Sequence, residues 1–336
     1  MATNLLLAPE IQKAYDRKLL SRFRSSTVFN KFGKQKDIPA NGGVNIDFRR
    51  MEVIRPVAIA SSVTWPADAV YTTADAIALV EGTFGGGQTA VSASWYNVTA
   101  TVRQYGQYSY QSEWNDSQAI DPQTSEYVSN YSEAMAELLD IVTRDVLVAG
   151  TTVQYVNGRA SISAVISGDF INLVEFRKAA RTLKRANARP TEDGKFVVIC
   201  HPDTVYDLQS DSNITNVFVQ GGRPNDESFM GPSFKDIPLG FRLYESTLCP
   251  ITRASGYGDY YQTFVLGAEA YGTAKVSAVP AKVIVHKPGT SGASDPLDQV
   301  GTVGWKANWA AVMLAQANMV RVVHQTSAFT GTRAGL

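Results

Sequence analysis

Three histidines, two cysteines and a few glycine clusters are the residues of this chain whose types could carry chemistry. His201, His286 and His324 form no HExxH or HxH pattern, and no acidic residue stands beside them at metal-ligand spacing. His201 precedes Pro202 and Asp203 at an expected helix start, so a structural cap is the better reading than a general base. Cys200 ends an apolar run, which suits a buried thiol rather than a nucleophile, and Cys249 forms no CxxC with it. The sequence has no GxSxG elbow for Ser–His–Asp chemistry. Gly85–Gly86–Gly87 is followed by Gln88 and lacks the cation a phosphate loop uses. Gly256–Tyr257–Gly258 lacks the third glycine of a dinucleotide fingerprint. Glu137 and Asp140 read as ordinary solvation on the polar face of a helix. No catalytic, metal-binding or cofactor-binding residue is assigned, no cofactor is expected, and the chain does not read as an enzyme.

The elements that would have to position such residues say more. The 336 residues are enough for one complex domain or two to three interleaved subdomains. Hydrophobic residues make up 44%, while charged residues reach only 18%, against roughly 25% in a typical soluble protein. Few charges together with 10% aromatics suggest an exterior partly buried between subunits. Lys plus Arg equals Asp plus Glu, 31 each, so net charge makes no argument for nucleic-acid binding. The two cysteines fit a reducing compartment better than a disulfide scaffold. No signal peptide or membrane span is expected. The sequons at Asn97, Asn130 and Asn213 are then accidents of composition.

The N-terminal stretch carries Lys13, Arg17, Lys18, Arg22, Arg24, Lys31, Lys34 and Lys36 against only Glu10 and Asp16. It reads either as a helix with Ile11, Tyr15 and Leu19 inward or as an arm facing a polyanion or an acidic partner. Val44, Ile46 and Phe48 then alternate with polar residues, as do Val98, Ala100 and Val102 far downstream. About fifty residues rich in Ala, Ser, Thr and Gly separate the two runs. An extended two-stranded arm that lies on a neighbour accounts for so long a segment.

Asp121–Pro122 signals a helix start, and Val128, Tyr131, Met135, Leu138, Val142 and Val146 form one apolar stripe that Gly150 ends. About 28 residues would span about 40 Å, the length of a spine. Residues 165–275 read as an α/β subdomain. Asp169 is expected to cap a helix with the stripe Leu173, Phe176, Ala180 and Leu183, ended by Pro190. Phe196–Cys200 reads as a buried strand, Pro202 as a helix start, and Phe241–Tyr244 and Thr263–Leu266 as further strands. Lys282–His286 alternates like a strand. Trp309–Leu314 is open between strand and helix.

Several of these segments, in order, resemble the major capsid protein family of tailed phages, in the subgroup of podovirus-like coat proteins related to coliphage N-four. They are Gly43–Arg49 (GVNIDFR), Gln104–Gly106 (QYG), Leu147–Tyr155 (LVAGTTVQY), His201–Leu208 (HPDTVYDL), Gly240–Ser246 (GFRLYES), Gly267–Gly272 (GAEAYG) and Asp295–Lys306 (DPLDQVGTVGWK). The resemblance implies an α+β fold of the HK97-like capsid type. Its parts would be an N-terminal arm (1–44), an extended E-loop hairpin (45–110), a first part of the P-domain with the spine helix (111–164), an A-domain (165–275) and a second part of the P-domain (276–336).

The implied function is a virion coat that assembles in the bacterial host cytoplasm, as hexamers and pentamers, into an icosahedral shell around double-stranded DNA. Implied partners are other copies of the chain, a portal protein, a separate scaffolding protein, a decoration or cement protein, and packaged DNA bound non-specifically; no membrane is involved. Val53, Ile54, Val57, Ile59, Val63, Trp65, Val70, Tyr71, Ile77 and Leu79 are the candidate E-loop contacts with a neighbour. The basic arm is the candidate surface toward DNA or scaffold. Some shells of this fold join neighbours through an E-loop lysine, but no lysine lies between Lys36 and Lys178 here. A tail-tube or sheath subunit and a nanocompartment shell are the competing readings.

Overall fold

The computed structural model describes residues 27–39, 42–51, 95–118, 123–166, 168–191, 194–214, 236–237, 240–254, 258–277, 279, 281–290 and 296–327. In chain order the elements are β1 (Lys34–Ile38), β2 (Asn45–Met51), β3 (Trp95–Thr101), β4 (Arg103–Ser112), α1 (Glu113–Gln118), α2 (Gln123–Val148), β5 (Val153–Tyr155) and α3 (Leu173–Arg185). There follow β6 (Phe196–Cys200), α4 (Pro202–Ser210), β7 (Asp236–Ile237), β8 (Phe241–Glu245), β9 (Ile251–Ala254), β10 (Gly258–Leu266), β11 (Tyr271–Val276), β12 (Lys282–His286), β13 (Val300–Met313) and β14 (Met319–His324). The chain divides into two units. One comprises residues 1–24, 107–133 and 283–305; the other comprises residues 25–106, 134–282 and 306–336.

The larger unit is built on a seven-stranded mixed sheet ordered β5-β14-β10-β6-β8-β7, with β9 paired to β10. β6 runs parallel to β8, with Phe196 opposite Phe241, and antiparallel to β10. Every residue of β6 is buried because both faces of the sheet are covered, which is why FVVIC is a continuous apolar run rather than an alternating one. One face packs Val198, Phe241, Val265 and Val322 against Phe176, Ala180 and Leu183 of α3. The other packs Val197, Ile199, Phe264 and Leu266 against Val28, Phe29, Leu147 and Tyr271.

The apolar stripe expected for α3 is therefore its buried face, but both ends of the helix differ from expectation. The N-cap is Asn172, whose Oδ1 accepts from Val174 N at 3.0 Å and Glu175 N at 3.2 Å. Asp169 cannot cap because Phe170 is held in a bridge to Gln325 and Ile171 is buried. Asp169 instead accepts from Arg159 Nε at 2.9 Å, Asn157 Nδ2 at 2.7 Å and Ile166 N at 2.9 Å, and these partners hold its carboxyl below the usual range despite its burial. The helix stops before Pro190: Asn187 takes φ 55°, and Ala188 N donates back to Leu183 O at 2.9 Å, a left-handed terminus.

The larger unit also contains a smaller strand group. β1 lies parallel to β11 with Lys34 opposite Gly272, and β11 pairs antiparallel with the second half of β13, Tyr271 opposite Met313. Trp309–Met313 is thus strand, because its backbone is needed by β11. In the smaller unit, β12 and β4 both pair with β13. Two glycines of β13 permit this. A Cβ on Gly304 would stand 2.7 Å from Tyr108 Cβ and 2.8 Å from Gln107 O, and one on Gly301 would stand 2.9 Å from His286 O.

α2 provides the expected spine, 26 residues or about 39 Å long. Its deeply buried residues are Asp140, Thr143 and Leu147, while the predicted stripe from Val128 to Val146 is only half-buried. The Asp121–Pro122 start signal lies outside the described residues. No helix of the described residues is long and apolar enough to cross a membrane.

Candidate functional site

β2 and β3 pair with each other from Asn45↔Thr101 to Met51↔Trp95 and with no other strand of the described residues. Alternation puts Ile46 and Phe48 opposite Ala100 and Val98 on one face, as the sequence pattern requires. That face is seated at its root only. Phe48 and Ala100 are buried with Ile38, Val102, Ala274 and Ala310, and the Phe48 ring occupies the space that a side chain at Gly272 would need. The other face is polar, with Thr99 Oγ1 donating to Asp47 Oδ1 at 2.6 Å and Thr101 Oγ1 to Asn45 Oδ1 at 2.9 Å.

The far end of this ribbon is exposed and carries cations over aromatic rings. Arg49 lies 5.7 Å from the Trp95 ring centre and Arg50 lies 5.6 Å from that of Tyr96, with Trp95 59% and Tyr96 46% exposed. An isolated two-stranded ribbon is marginal in water, so a ribbon with an aromatic and basic end is built to be covered. A second exposed apolar surface lies in the smaller unit, where Tyr108, Tyr110, Trp114 and Leu297 are each more than 60% exposed.

The ten expected E-loop contacts, Val53 through Leu79, lie outside the described residues, as do Lys13, Arg17, Lys18, Arg22 and Arg24 of the arm. Lys31, Lys34 and Lys36 are described. Lys34 and Lys36 belong to β1. Lys34 pairs with Glu269, and Lys36 Nζ donates to Asp47 O at 3.0 Å while lying 4.9 Å from the Phe48 ring centre. Lys31 is exposed beside a groove of ≈ 430 Å³ that also includes Phe32, Arg242 and Tyr244.

The structure corrects the reading of Asp140 as a solvated helix residue. It is fully buried, and its two oxygens accept from Val28 N at 3.0 Å and Asn30 N at 2.9 Å. Burial raises its pKa despite those donors. Around it, Thr143 Oγ1 donates to the Asn30 side chain and accepts from Trp309 Nε1 at 3.2 Å, and Tyr271 OH donates to Phe29 O. This latch ties the segment entering β1 to the spine helix and so sets where the hairpin root stands. The helical position was a clue: Asp140, Thr143 and Leu147 lie three and four apart, on one side of α2.

Cys200, His201 and His324 each hold a structural place, while Gly85–Gly87 and Gly256–Tyr257 lie outside the described residues. Cys200 is buried, and burial pushes its thiol pKa well up. His201 caps α4, its Nδ1 accepting from Asp203 N at 3.2 Å. His324 is fully buried between Thr263 Oγ1 and the carbonyl of Gln325, both at 2.9 Å from ring nitrogens. The carbonyl requires a proton on Nδ1, and in the neutral ring that burial favours, Nε2 accepts from Thr263 Oγ1. Burial lowers its pKa to about 4. Because the unfolded chain takes up that proton near 6.5, stability falls as pH drops from 6.5 toward 4, by on the order of 3 kcal/mol. Urea midpoints of wild type and His324→Gln across that range check this: the slope of the variant should be flatter, and equal slopes would refute the assignment. Among the described residues, no group of three His, Cys, Asp or Glu side chains could hold a metal ion.

Residues 97–321 match the family model described as phage capsid protein. The fold matches solved phage capsids along nearly its whole length. Against the capsid of cyanophage Pam1 the TM-score is 0.69 at 14% identity, covering 98% of this chain and 100% of that one. For Ralstonia phage GP4 the values are 0.66 and 12%, covering 97% and 98%. For cyanophage P-SCSP1u they are 0.65 and 15%, covering 95% and 94%. No curated protein matches. The mixed α+β architecture is that of the HK97-like capsids, a fold of structural proteins. The chain belongs to the phage capsid protein family and is a major capsid protein that forms the shell of the virion.

Proposed function

We propose that the chain assembles as hexamers and pentamers into a closed icosahedral shell around double-stranded phage DNA, and that its hairpin is the E-loop, lying across a neighbouring subunit. The observation that carries this is the β2–β3 ribbon, rooted in the body by Phe48 and Ala100 and exposed at the end where Trp95 and Tyr96 stand. Head-to-tail contact around a ring asks each subunit for two different complementary surfaces. The ribbon end and the Tyr108–Trp114 surface are two candidates. Val53, Ile54, Val57, Ile59, Val63, Trp65, Val70, Tyr71, Ile77 and Leu79 supply apolar area for the ribbon's contact. At about 25 cal/mol per Å², a thousand Å² or more would offset the entropy of ordering the segment.

The finer assignments follow from the same reading. The subgroup is the podovirus-like coat proteins related to coliphage N-four. Residues 1–44 serve as the arm, 45–110 as the E-loop, 111–164 and 276–336 as the P-domain, and 165–275 as the A-domain. Lys13, Arg17, Lys18, Arg22, Arg24, Lys31, Lys34 and Lys36 face packaged DNA, the scaffold or a neighbour; the DNA contacts are non-specific and weaken with salt. A portal protein, a separate scaffolding protein and a decoration protein complete the shell, which assembles in the host cytoplasm. Without an E-loop lysine, neighbours are held by non-covalent contacts or cement.

Cryo-electron microscopy of the native particle tests the proposal. The expected result is an icosahedral shell with residues 52–94 draped over the adjacent subunit. Tubes, or a shell in which that segment packs on its own body, would refute it.

A further inference from the structure

Along the ribbon, from its seat at Phe48 toward the end where Arg50 and Tyr96 stand, lies a shallow groove of ≈ 70 Å³ whose walls include Lys34, Lys36, Phe48, Arg49, Arg50 and Tyr96. Of the described residues lining it only Glu269 is acidic, and Glu269 is paired with Lys34. The remaining cations are satisfied by neutral groups: Lys36 by a carbonyl and the Phe48 ring, Arg49 by Asn97 Oδ1 at 3.1 Å and the Trp95 ring, Arg50 by the Tyr96 ring. They are held in place and have no carboxylate partner among the described residues of the groove. Lys34 continues the basic surface into the neighbouring groove beside Lys31 and Arg242.

The chain itself contains the complement. Between Arg55 and Arg103 it has no Lys or Arg, while Asp68, Asp75 and Glu81 fall in that stretch. These acids are interspersed with the apolar residues already assigned to inter-subunit contact. We infer that the groove is the receptor for the acidic stretch 68–81 of a second copy of the chain, so that the register of one subunit on the next is set electrostatically as well as by apolar burial. This rests on the reading of the hairpin as an inter-subunit arm and adds where the arm lands. Charge pairs at a partly solvated contact act over about a Debye length of 10 Å at 0.1 M salt. They steer docking and reject misplaced neighbours more than they add affinity. The acids lie seven and six residues apart with apolar residues between them, so a slip along the arm would bring an uncharged stretch to the cations in place of an acid.

The test is charge exchange in the full-length chain, supplied from a plasmid to cells infected by a phage whose own coat gene carries a nonsense mutation. Particles are counted by sedimentation and electron microscopy. Reversing the groove with Lys36→Glu and Arg50→Glu should lower the yield of closed shells about tenfold or more. Reversing the segment with Asp68→Lys, Asp75→Lys and Glu81→Lys should do the same. The combined variant should recover most of the loss. A combined variant no better than either parent, with all three keeping the thermal midpoint of the wild-type subunit, overturns the inference.

Disulfide trapping gives an independent answer. With Arg50→Cys and Asp75→Cys in one chain, oxidised wild-type-like particles should yield ladders of linked subunits on a non-reducing gel, since Cys200 and Cys249 are buried and do not compete. A single internally linked monomer would mean that the groove holds its own chain's segment, and no linkage would mean that the segment lands elsewhere; either sinks the inference. If wild-type protein in the same cells forms no shell, the assembly reading fails as well, whereas shells without charge coupling remove only the docking site.

Discussion

A chain in which residues 52–94 are replaced by Asn-Gly will fold and will not form shells. The ribbon register brings Met51 opposite Trp95, and a two-residue turn of that composition closes such a pair with the twist the strands need. The root of the ribbon stays intact, because Ile46, Phe48, Val98 and Ala100 remain on β2 and β3. The described residues of the body's main cores, on both faces of the seven-stranded sheet, are all retained. Circular dichroism and the thermal midpoint of the purified subunit should therefore be close to wild type, while sedimentation of infected-cell lysates shows no closed particles. Shells at normal yield would show that the segment is dispensable and would remove the basis for calling this hairpin an inter-subunit arm. An unfolded product would instead show that the segment belongs to the body.

Replacing Asp140 by alanine is expected to cost the subunit about 4 kcal/mol. The change leaves two backbone donors, at Val28 and Asn30, buried without an acceptor, at about 1–3 kcal/mol each. Asn should fall between Ala and wild type, because its amide offers one acceptor and turns an N–H toward the other donor. The pH dependence has a sign opposite to that of His324. Asp140 has a raised pKa in the folded chain, so the folded state holds this proton more tightly than the unfolded one. Its own contribution to stability then rises as pH falls toward the ordinary carboxylate range. Denaturation midpoints of Asp140→Ala and Asp140→Asn at neutral and mildly acidic pH check both statements. A loss under 1 kcal/mol in the alanine variant would mean that the segment before β1 re-seats without the latch. Because that segment leads into β1, where Lys36 meets β2, the alanine variant should also lower shell yield by more than its stability loss alone explains.

How far the sequence disclosed this arrangement varied with the distance over which each feature is determined. The ribbon was legible because alternation in Asn45–Arg49 and Val98–Thr101 is a local consequence of one buried and one solvated face. α3 was legible from its stripe, but its cap was misplaced by three residues. Asp169 and Asn172 are both good capping types, and only the position of Phe170 in a bridge to Gln325 disqualifies the first. The run Trp309–Leu314 could not be assigned locally, since its partner strand β11 decides it. Asp140 was missed for the same reason. Periodicity assigned it to a polar face, whereas the groups that bury it lie more than a hundred residues earlier in the chain. The ten candidate contacts of the hairpin and the first five cations of the arm fall outside the described residues, so their placement rests on the proposed assembly.

The strand order of the large sheet bears on how the subunit is made. β14, residues 319–324, stands between β5 at 153–155 and β10 at 258–266. A chain emerging from the ribosome reaches β5 long before the strand it needs exists, so β5 and one edge of β10 must wait with open backbone groups. Non-local pairing of this kind slows folding and exposes intermediates to aggregation. It also acts as a timing device: a nascent coat chain cannot finish its central sheet, and so cannot offer a finished binding surface to its neighbours, until synthesis has passed residue 324. Polymerisation of half-made subunits is thereby discouraged by topology alone, before any scaffold or partner takes part.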